Sequence, residues 1–333
     1  MKISILGAGS FGTAMACHLS NLGNEVLIWT TNETQALAIS DTGHNPFRFQ
    51  NIHLRKTVTA STSMDEALRF SDRVIVAVPT QAVREVLGKV AALEKGEGHF
   101  LNLAKGIEVS SGNLLHGIYE EACPGYTYSA LSGPSHAEEV IAGLPTLTVL
   151  ASRAGGEAER WQEIVSGNNF RIYTSEDIIG LEVGGAAKNI YAVAAGIAYA
   201  MNLGDNARAA LVCRSLAEIM RLGLKMGASP LTLSGLAGAG DLMVTCYSMH
   251  VRNFRLGIEI GHGKTLTEAA SLLGQVAEGA YTVRAIVENG KKFDVELPLA
   301  ESVYRVLYKR ESPKAILKEL MARPLKAEMR FNG

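Results

Sequence analysis

The sequence predicts an α/β N-terminal domain built on a parallel sheet, followed by an all-α C-terminal domain. Before Asp177, short apolar and β-branched runs alternate with helical patterns, which is typical of a parallel sheet covered by helices. From Asp177 onward only helical periods remain. A chain of 333 residues is also long for a single hydrophobic core. We therefore predict two domains, residues 1–180 and 181–333.

Each predicted strand is a short, mostly apolar run. The strands are predicted at residues 2–6, 25–29, 57–60, 73–78, 100–104, 126–131, 146–151 and 170–173. Helical patterns follow at residues 13–22, 64–70, 81–93, 114–122, 136–141 and 157–165. Residues 42–54 include Pro46 and few periodic apolar residues, which predicts a loop. In the second domain, helices are predicted at residues 182–202, 206–226, 268–273, 280–289, 299–308 and 314–321, with a short helix after the glycine-rich segment 234–240.

The first strand runs directly into a glycine-rich turn, Gly7-Ala8-Gly9-Ser10-Phe11-Gly12. In this pattern Gly7 makes the tight turn, Gly9 lets the backbone approach a pyrophosphate, and Gly12 lets the helix pack close to the strand. The anion would lie on free N–H groups at the helix N-terminus. A purely structural glycine turn is the alternative, but strand, turn, helix and second strand all follow in register. The pattern predicts a Rossmann-type domain that binds a dinucleotide.

The end of the second strand does not decide which dinucleotide binds. NAD sites usually have Asp or Glu at this point, whereas an Arg nearby accommodates the extra phosphate of NADP. Here the strand is followed by Thr30-Thr31-Asn32, with Glu33 one step further. Thr31 is the candidate ribose contact, and the cofactor is predicted to be NAD or NADP.

Polar residues follow two later strands of the predicted sheet. Lys105 and Gly106 come directly after strand 100–104, and Ser132-Gly133-Pro134-Ser135 follows strand 126–131. Because open α/β sheets bind ligands at the carboxyl ends of their strands, these segments are candidate ligand contacts.

The helix 182–202 is built almost entirely of small or apolar residues and contains one lysine, Lys188. Gly184, Ala187, Tyr191 and Ala195 recur at helical spacing around it, so its face carries mostly small side chains. A lysine that loses water there becomes a candidate acid or base, because desolvation disfavours the charged amine. The alternative is a core helix whose lysine extends to the surface.

A polar group follows the second glycine-rich segment. Asp241 and Thr245 are four residues apart, hence on one helical face, and Arg252 and Asn253 follow closely. These residues predict a pocket for a small phosphorylated substrate. The alternative is an Asp241 that caps its helix and an Arg252 that is solvated.

Charge and composition exclude several classes of function. The chain has 32 basic and 33 acidic residues, so nothing favours nucleic acid or an anionic membrane as a partner. Its four cysteines lie far apart without a CxxC pair, which predicts free thiols and no metal site. No secretory signal pattern is present at the N-terminus, and the apolar run 190–203 is too short to span a bilayer. We expect a soluble cytoplasmic protein without an integral membrane segment.

Taken together, the motifs resemble those of the bacterial NAD(P)-dependent glycerol-3-phosphate dehydrogenases over essentially the full length of the chain. The resemblance is carried by the glycine-rich turn and by Leu103-Ala104-Lys105-Gly106, Leu131-Ser132-Gly133-Pro134-Ser135, Ala187-Lys188-Asn189, Ala239-Gly240-Asp241-Leu242 with Thr245, Arg252-Asn253 and Ala277-Glu278-Gly279. It implies a Rossmann-type domain followed by a helical substrate domain. It also implies the reversible reduction of dihydroxyacetone phosphate to sn-glycerol 3-phosphate, which feeds glycerophospholipid synthesis. A homodimer is the expected assembly.

The same resemblance implies roles for individual residues. Lys188 corresponds to the proton-transferring lysine of the family, with Asp241 and Lys105 beside it. The implied substrate contacts are Lys105, Gly133, Ser135, Lys188, Asn189, Asp241, Thr245, Arg252 and Asn253. The implied cofactor contacts are Gly7, Gly9, Ser10, Phe11, Gly12, Thr31, Lys105, Ala137, Arg252, Val276 and Glu278. The chain departs from the family at Val251, where a serine is common, and fits it loosely in the loop 42–54 and at Thr30-Thr31.

These assignments predict a division of labour. Lys188 would stabilise the developing negative charge and supply a proton, while Asp241 would hold its ammonium group and tune its pKa. Lys105 would bind substrate oxygens, and Arg252 with Asn253 would bind the phosphate. Two alternatives remain: a related two-domain reductase for another acid or phosphate, and a non-catalytic dinucleotide sensor with the same fold.

Overall fold

The computed structural model describes residues 1–93, 96–249, 251–274, 277–325 and 327–328. Its strands are β1 (Lys2–Leu6), β2 (Glu25–Trp29), β3 (Val58–Ser61), β4 (Arg73–Val76), β5 (Gly98–Asn102), β6 (Tyr126–Ser132), β7 (Thr146–Ser152) and β8 (Phe170–Ser175). Its helices are α1 (Ser10–Asn21), α2 (Glu33–Thr42), α3 (Met64–Phe70), α4 (Val83–Ala91), α5 (Leu115–Ala122), α6 (Ala137–Ile141), α7 (Glu157–Val165), α8 (Ile178–Ala200), α9 (Gly204–Met226), α10 (Pro230–Ser234), α11 (Asp241–Tyr247), α12 (Arg252–Gly261), α13 (Leu266–Leu273), α14 (Glu278–Lys292), α15 (Pro298–Lys309) and α16 (Pro313–Met321). A 3₁₀ turn, Thr80–Ala82, precedes α4, and a π-helical turn, Leu236–Gly240, precedes α11.

The eight strands form one sheet in the order β3-β2-β1-β4-β5-β6-β7-β8. The first six strands are parallel, β7 is antiparallel to β6, and β8 is parallel to β7. The chain order reverses between β1 and β4, where Leu6 pairs with Val76. In doubly wound sheets the ligand crevice lies at this reversal, beyond the carboxyl ends of the strands. The predicted Rossmann-type α/β domain and all-α second domain are confirmed.

Most predicted elements lie within a few residues of the observed ones, but three helices were missed. These are α2, α10 and α12, which have ten, five and ten residues. The unpredicted helix α12 affects the site, because Arg252 is its first residue. The central helix α8 begins at Ile178, earlier than predicted, because the side chain of Asp177 caps it by accepting a hydrogen bond from Gly180 N at 2.8 Å.

The helical domain is packed around α8. Gly196 of α8 and Gly257 of α12 touch, since a Cβ on Gly196 would lie 2.9 Å from the Cα of Gly257. Such close backbone contact needs glycine on both helices. Ile178 at the start of α8 packs in the core beside the sheet, whereas Val183 packs in the helical core. Because α8 joins both cores, the division at residue 180 stays a prediction.

Among the described residues, no helix is both long and apolar enough to cross a bilayer.

Candidate active site

The glycine-rich turn has the geometry that a bound dinucleotide requires. Gly7 adopts φ +120°, and a Cβ there would lie 2.7 Å from the carbonyl oxygen of Ala77. A side chain at Gly12 would overlap the carbonyl of Gly7, so the helix packs on the turn only because Cβ is absent. The space above Gly9 is open, at the N-terminus of the twelve-residue α1. The three glycines therefore fit the phosphate-binding role predicted for them.

Two adjoining cavities form a cleft at the carboxyl edge of the sheet, and Gly9, Arg48, Ala77, Val78 and Pro79 line both. One cavity, of about 510 Å³, extends to Gly7, Thr30 and Thr31. The other, of about 380 Å³, is lined by most of the predicted site residues: Ser10, Phe11, Lys105, Ser135, Ala137, Lys188, Asn189, Thr245, Arg252, Asn253 and Glu278. Gly133 and Asp241 lie directly behind this wall, through contacts described below, and Val276 lies outside the described residues.

A larger cavity among the described residues lies elsewhere. It measures about 1060 Å³, is mostly apolar, and lies between α9 and the C-terminal residues that follow α16. None of the predicted site residues lines it. Size alone is therefore a poor guide here, and the convergence of charged groups favours the cleft at the sheet edge.

Three charged side chains meet at the floor of the cleft. Lys105 Nζ lies 2.8 Å from Asp241 Oδ2 and also donates to the carbonyl of Gly133 at 2.9 Å. Lys188 Nζ donates to the other oxygen, Asp241 Oδ1. Asp241 is 1% exposed and Lys188 8%. The carboxylate is thus shared between two ammonium groups, and the cluster as a whole carries an excess positive charge.

The electrostatics of this cluster make Lys188 a group that exchanges a proton near neutral pH. The pKa of Lys188 is lowered to about 8: burial is the largest cause, Lys105 acts in the same direction, and Asp241 opposes the shift. Burial alone would raise the pKa of Asp241, but the two lysines outweigh it and hold that pKa below its ordinary value. Lys188 does not extend to the surface, and Asp241 binds lysines instead of capping a helix. Both alternatives for these residues are therefore wrong.

Small residues on α8 allow this meeting. A Cβ on Gly184 would lie 2.6 Å from the carbonyl oxygen of Ala237, in the π-helical turn that leads into Asp241. A Cβ on Gly185 would lie 2.8 Å from Ser132 Oγ and 3.6 Å from Lys105 Cγ. The glycines of α8 thus bring the turn before Asp241 and the stem of Lys105 against the helix that carries Lys188.

Arg252 stands at the other side of the same cavity, in the first turn of α12. It is half-buried, and among the described residues no carboxylate lies within ion-pair distance of it. Burial lowers its pKa and the guanidinium of Arg48 acts in the same direction, whereas the carboxylates of Glu138 and Glu278 oppose the shift. Two arginines line the cleft, which favours an anion between them.

Asn253 and Thr245 use their side chains within the protein. Asn253 donates to Asn189 Oδ1 at 2.9 Å and accepts from Gly279 N at 3.0 Å. The hydroxyl of Thr245 donates to the backbone carbonyl of Asp241 at 2.5 Å. Asn253 joins three helices around Arg252, and a phosphate contact through its side chain stays a prediction.

The sequence did not predict two features of the cleft, and the first is the position of the loop 42–54. Asn45 ties the loop 42–54 to the glycine-rich turn, because its amide donates to Ala8 O at 3.1 Å and to Thr13 Oγ1 at 2.8 Å. This anchor places Arg48 in the wall of both cavities. A single arginine in a loop is too weak a sequence signal to reveal that position.

The second missed feature joins the domains. The carboxylate of Glu278, on α14, accepts hydrogen bonds from Thr80 N at 3.1 Å and Thr80 Oγ1 at 2.9 Å. Burial raises the pKa of Glu278, although both hydrogen bonds oppose the shift. Glu278 therefore lies at the cleft, as predicted, and also holds the helical domain against the loop after β4.

At the end of β2, only Thr31 presents a free side chain to the cleft. The hydroxyl of Thr30 donates to Gln35 Oε1 at 2.8 Å, and the side chain of Asn32 accepts from Gln35 N at 2.9 Å. Among the described residues, no group of three His, Cys, Asp or Glu side chains is placed to hold a metal ion.

Comparison with known proteins agrees with this geometry. The model of the NAD-dependent glycerol-3-phosphate dehydrogenase N-terminus matches residues 2–158, and that of the C-terminus matches residues 177–318. The chain is 43% identical over 331 residues to glycerol-3-phosphate dehydrogenase [NAD(P)+] of Bacillus subtilis, covering 98% of this chain and 96% of that protein. It is 41% identical to the enzyme of the same name from Thermoanaerobacter sp., over 99% of both chains.

A solved structure shows the same relationship in three dimensions. The crystal structure of glycerol-3-phosphate dehydrogenase from Coxiella burnetii superposes with a TM-score of 0.93 at 35% identity, covering 97% of this chain and 99% of that one. Matches of this extent span both the sheet domain and the helical domain. The chain belongs to the NAD-dependent glycerol-3-phosphate dehydrogenase family.

Proposed function

We propose that this protein catalyses the reversible, NAD(P)H-dependent reduction of dihydroxyacetone phosphate to sn-glycerol 3-phosphate. The observation that carries the proposal is the buried Lys105–Asp241–Lys188 cluster at the floor of a cleft whose far side carries Arg252. A proton donor and an anion-binding group thus face one cavity large enough for a three-carbon phosphate.

The phosphate of the substrate binds at Arg252. Its guanidinium offers a planar set of donors, and the first turn of α12 adds backbone N–H groups that have no partner within the helix. Val251 precedes Arg252 and contributes no side-chain hydrogen bond, in contrast to the serine common in the family. Arg252 therefore supplies most of the side-chain binding at this end of the cleft.

The carbonyl end of the substrate lies over the lysine cluster. Protonated Lys188 stabilises negative charge on the carbonyl oxygen and donates a proton to it, and neutral Lys188 accepts the proton in the reverse direction. Asp241 holds the ammonium of Lys188 in place. Lys105, fixed by Asp241 and by the carbonyl of Gly133, binds substrate oxygens with its remaining N–H bond.

The dinucleotide is held by Gly7, Gly9, Ser10, Phe11 and the N-terminus of α1. When bound, NADH or NADPH supplies the hydride for the carbonyl carbon. Thr31 and Arg48 line the cavity at the end of β2, where the adenosine ribose is expected. An exposed threonine beside an arginine accepts either dinucleotide, because Thr31 carries no charge and the cavity is lined by both acidic and basic side chains, Glu85, Arg48 and Lys89.

The wider setting is part of the same proposal. We expect a cytoplasmic homodimer that feeds glycerophospholipid synthesis, with a functional division of the chain near residue 180. The balanced charge supports this setting, since neither a nucleic acid nor an anionic membrane is favoured as a partner.

The test is a substrate panel with both cofactors. We expect oxidation of NADH and NADPH with dihydroxyacetone phosphate, and much weaker oxidation with unphosphorylated dihydroxyacetone or with 2-keto acids. Preference for a 2-keto acid would establish the alternative reductase. Dinucleotide binding without turnover of any compound in the panel would establish the sensor.

A further inference from the structure

The backbone that presents Lys105 is held by one buried amide, Asn102, the last residue of β5. Asn102 is 1% exposed. Its Oδ1 accepts from Ala104 N at 3.1 Å, and its Nδ2 donates to Ala104 O at 3.1 Å. The carbonyl of Ala104 belongs to the peptide bond that begins Lys105. A single side chain therefore fixes both sides of the residue before Lys105.

A second layer fixes the orientation of that amide. Asn102 Nδ2 also lies 3.1 Å from Tyr128 Oη, and the hydroxyl of Tyr128 donates its one hydrogen to Glu182. Tyr128 can therefore only accept from Asn102, which requires Nδ2 and not Oδ1 on this side. Tyr119 Oη donates to Oδ1 from the other side at 3.3 Å. The amide thus has a single orientation, the one that holds Ala104.

The series of hydrogen bonds from Asn102 through Tyr128 ends on Glu182, in the helix that carries Lys188. Glu182, on α8, is 6% exposed and accepts from His116 N at 2.9 Å and from His116 Nδ1 at 2.7 Å. A carboxylate at the first turn of α5 is favoured by the helix dipole. Glu182 therefore has fixed partners, and α8 carries both Glu182, where the series of hydrogen bonds ends, and Lys188.

We propose that Asn102 is a positioning residue for Lys105, held in its orientation by Tyr128 and Glu182. The inference rests on the proposed function, in which Lys105 binds substrate oxygens. A lysine has a long flexible stem, so the position of its ammonium depends on the backbone from which it starts. The Asn102 turn directs the stem of Lys105 along Gly185 to Asp241, and this alignment prepares the ammonium for the substrate.

A double-mutant cycle between Asn102 and Lys105 tests the proposal. Asn102→Ala should lower kcat/KM for dihydroxyacetone phosphate by about 10- to 100-fold, because an error of about 1 Å at a reacting group costs up to about 10²-fold. In the Lys105→Ala background, the same substitution should cost less than about threefold, because the group it positions is already gone. Asn102→Ser keeps an acceptor for Ala104 N and should fall between wild type and Asn102→Ala. Within each background, the Asn102 substitutions should change the dissociation constant of NADH, from fluorescence titration, by less than about twofold, since energies of distant sites are additive.

Two further variants separate positioning from general loss of packing. Tyr128→Phe removes only the hydroxyl between Asn102 and Glu182, and should lower kcat/KM by a smaller factor that also disappears in the Lys105→Ala background. Ser152→Ala is the matched control, because its hydroxyl donates to the backbone carbonyl of the same Tyr128 at 2.9 Å, away from Asn102. It should leave kcat/KM unchanged. If Asn102→Ala does not fold, Asn102→Ser and Tyr128→Phe provide the cycle.

The outcomes distinguish the two proposals. Equal fold losses from Asn102→Ala in both backgrounds overturn the positioning role and leave the proposed function standing. Wild-type kcat/KM in Lys105→Ala overturns the role of Lys105 itself, and the positioning role with it. Where turnover of the double variant is too low to measure, calorimetric binding of glycerol 3-phosphate to the four proteins gives the same cycle.

Discussion

Lys188 and Asp241 form a buried ion pair in which the ammonium of one residue donates to Oδ1 of the other, 53 positions further along the chain. The second oxygen of the carboxylate binds Lys105. One negative charge therefore compensates two positive ones inside the protein. Such an arrangement is costly to bury and is retained in active sites, where an excess positive charge stabilises a developing oxyanion.

Loss of Lys188 should remove the chemistry and spare cofactor binding. We expect Lys188→Ala to lower turnover by about 10²- to 10⁴-fold, the usual contribution of a general acid or base. Dinucleotide affinity should stay close to wild type, because Lys188 lies in the helical domain and the glycine-rich turn in the other. Steady-state turnover and a titration with NADH provide the measurement, with Lys292→Ala, at the exposed C-terminal end of α14, as a control. Turnover within about threefold of wild type would remove Lys188 from the mechanism.

The pH dependence should follow the protonation of Lys188. Its pKa is lowered to about 8, so the ammonium needed for reduction is present below that pH and lost above it. The kcat/KM for reduction should therefore fall as pH rises through about 8, whereas kcat/KM for oxidation of glycerol 3-phosphate should rise. Initial rates in both directions from pH 6 to about pH 10 give the two profiles. If kcat/KM for reduction did not fall and kcat/KM for oxidation did not rise over this pH range, Lys188 would not be the proton-transferring group.

Asp241→Asn should shift that profile to lower pH. Asp241 raises the pKa of Lys188 against the effect of burial, so removing its charge lowers the pKa of the lysine further. The two lysines would also face each other without compensation, and breaking a buried pair costs about 3–5 kcal/mol of stability. Denaturant unfolding and the pH profile of reduction measure the two effects. Asp205→Asn, on the exposed first turn of α9, is the control and should change neither.

Arg252 should contribute to phosphate binding and little to the chemical step. Arg252→Lys keeps the charge and loses the bidentate donors, and Arg252→Ala loses both, so KM for dihydroxyacetone phosphate should rise stepwise with little change in kcat. Unphosphorylated dihydroxyacetone should be reduced as poorly by the variants as by wild type. Arg255→Ala, one position of the same helix that faces solvent, is the control. An equal loss with both substrates would assign Arg252 to structure or cofactor, and titration with NADH separates these.

Both dinucleotides should be accepted. Thr31 offers no carboxylate to repel a 2′-phosphate, and Arg48 lines the same cavity. The ratio of kcat/KM for NADPH and NADH should stay below about a thousandfold, or roughly 4 kcal/mol. Arg48→Ala should weaken NADPH more than NADH, because only NADPH carries the additional phosphate. A larger ratio, or equal losses in Arg48→Ala, would show that other residues decide the preference.

The sequence by itself determined the features that depend on near neighbours in the chain. The turn at Gly7, Gly9 and Gly12 was predictable because its strand, turn and helix are continuous, and backbone sterics at Gly7 and Gly12 allow only glycine. The alternation of strands and helices, and its end near Asp177, likewise follow from local periodicity. The family motifs added residue roles to that frame, including Lys188, Asp241 and Arg252.

Only the tertiary structure decided how distant groups share their partners. Lys105 and Asp241 are 136 positions apart, and they meet because Gly184 and Gly185 let the π-helical turn and the stem of Lys105 pack on α8. The loop that carries Arg48 reaches the cleft through Asn45, a contact no periodicity encodes. Hydrogen bonds and close packing between segments far apart in the chain set these positions, since a side chain's partners depend on the packed fold and not on its sequence neighbours.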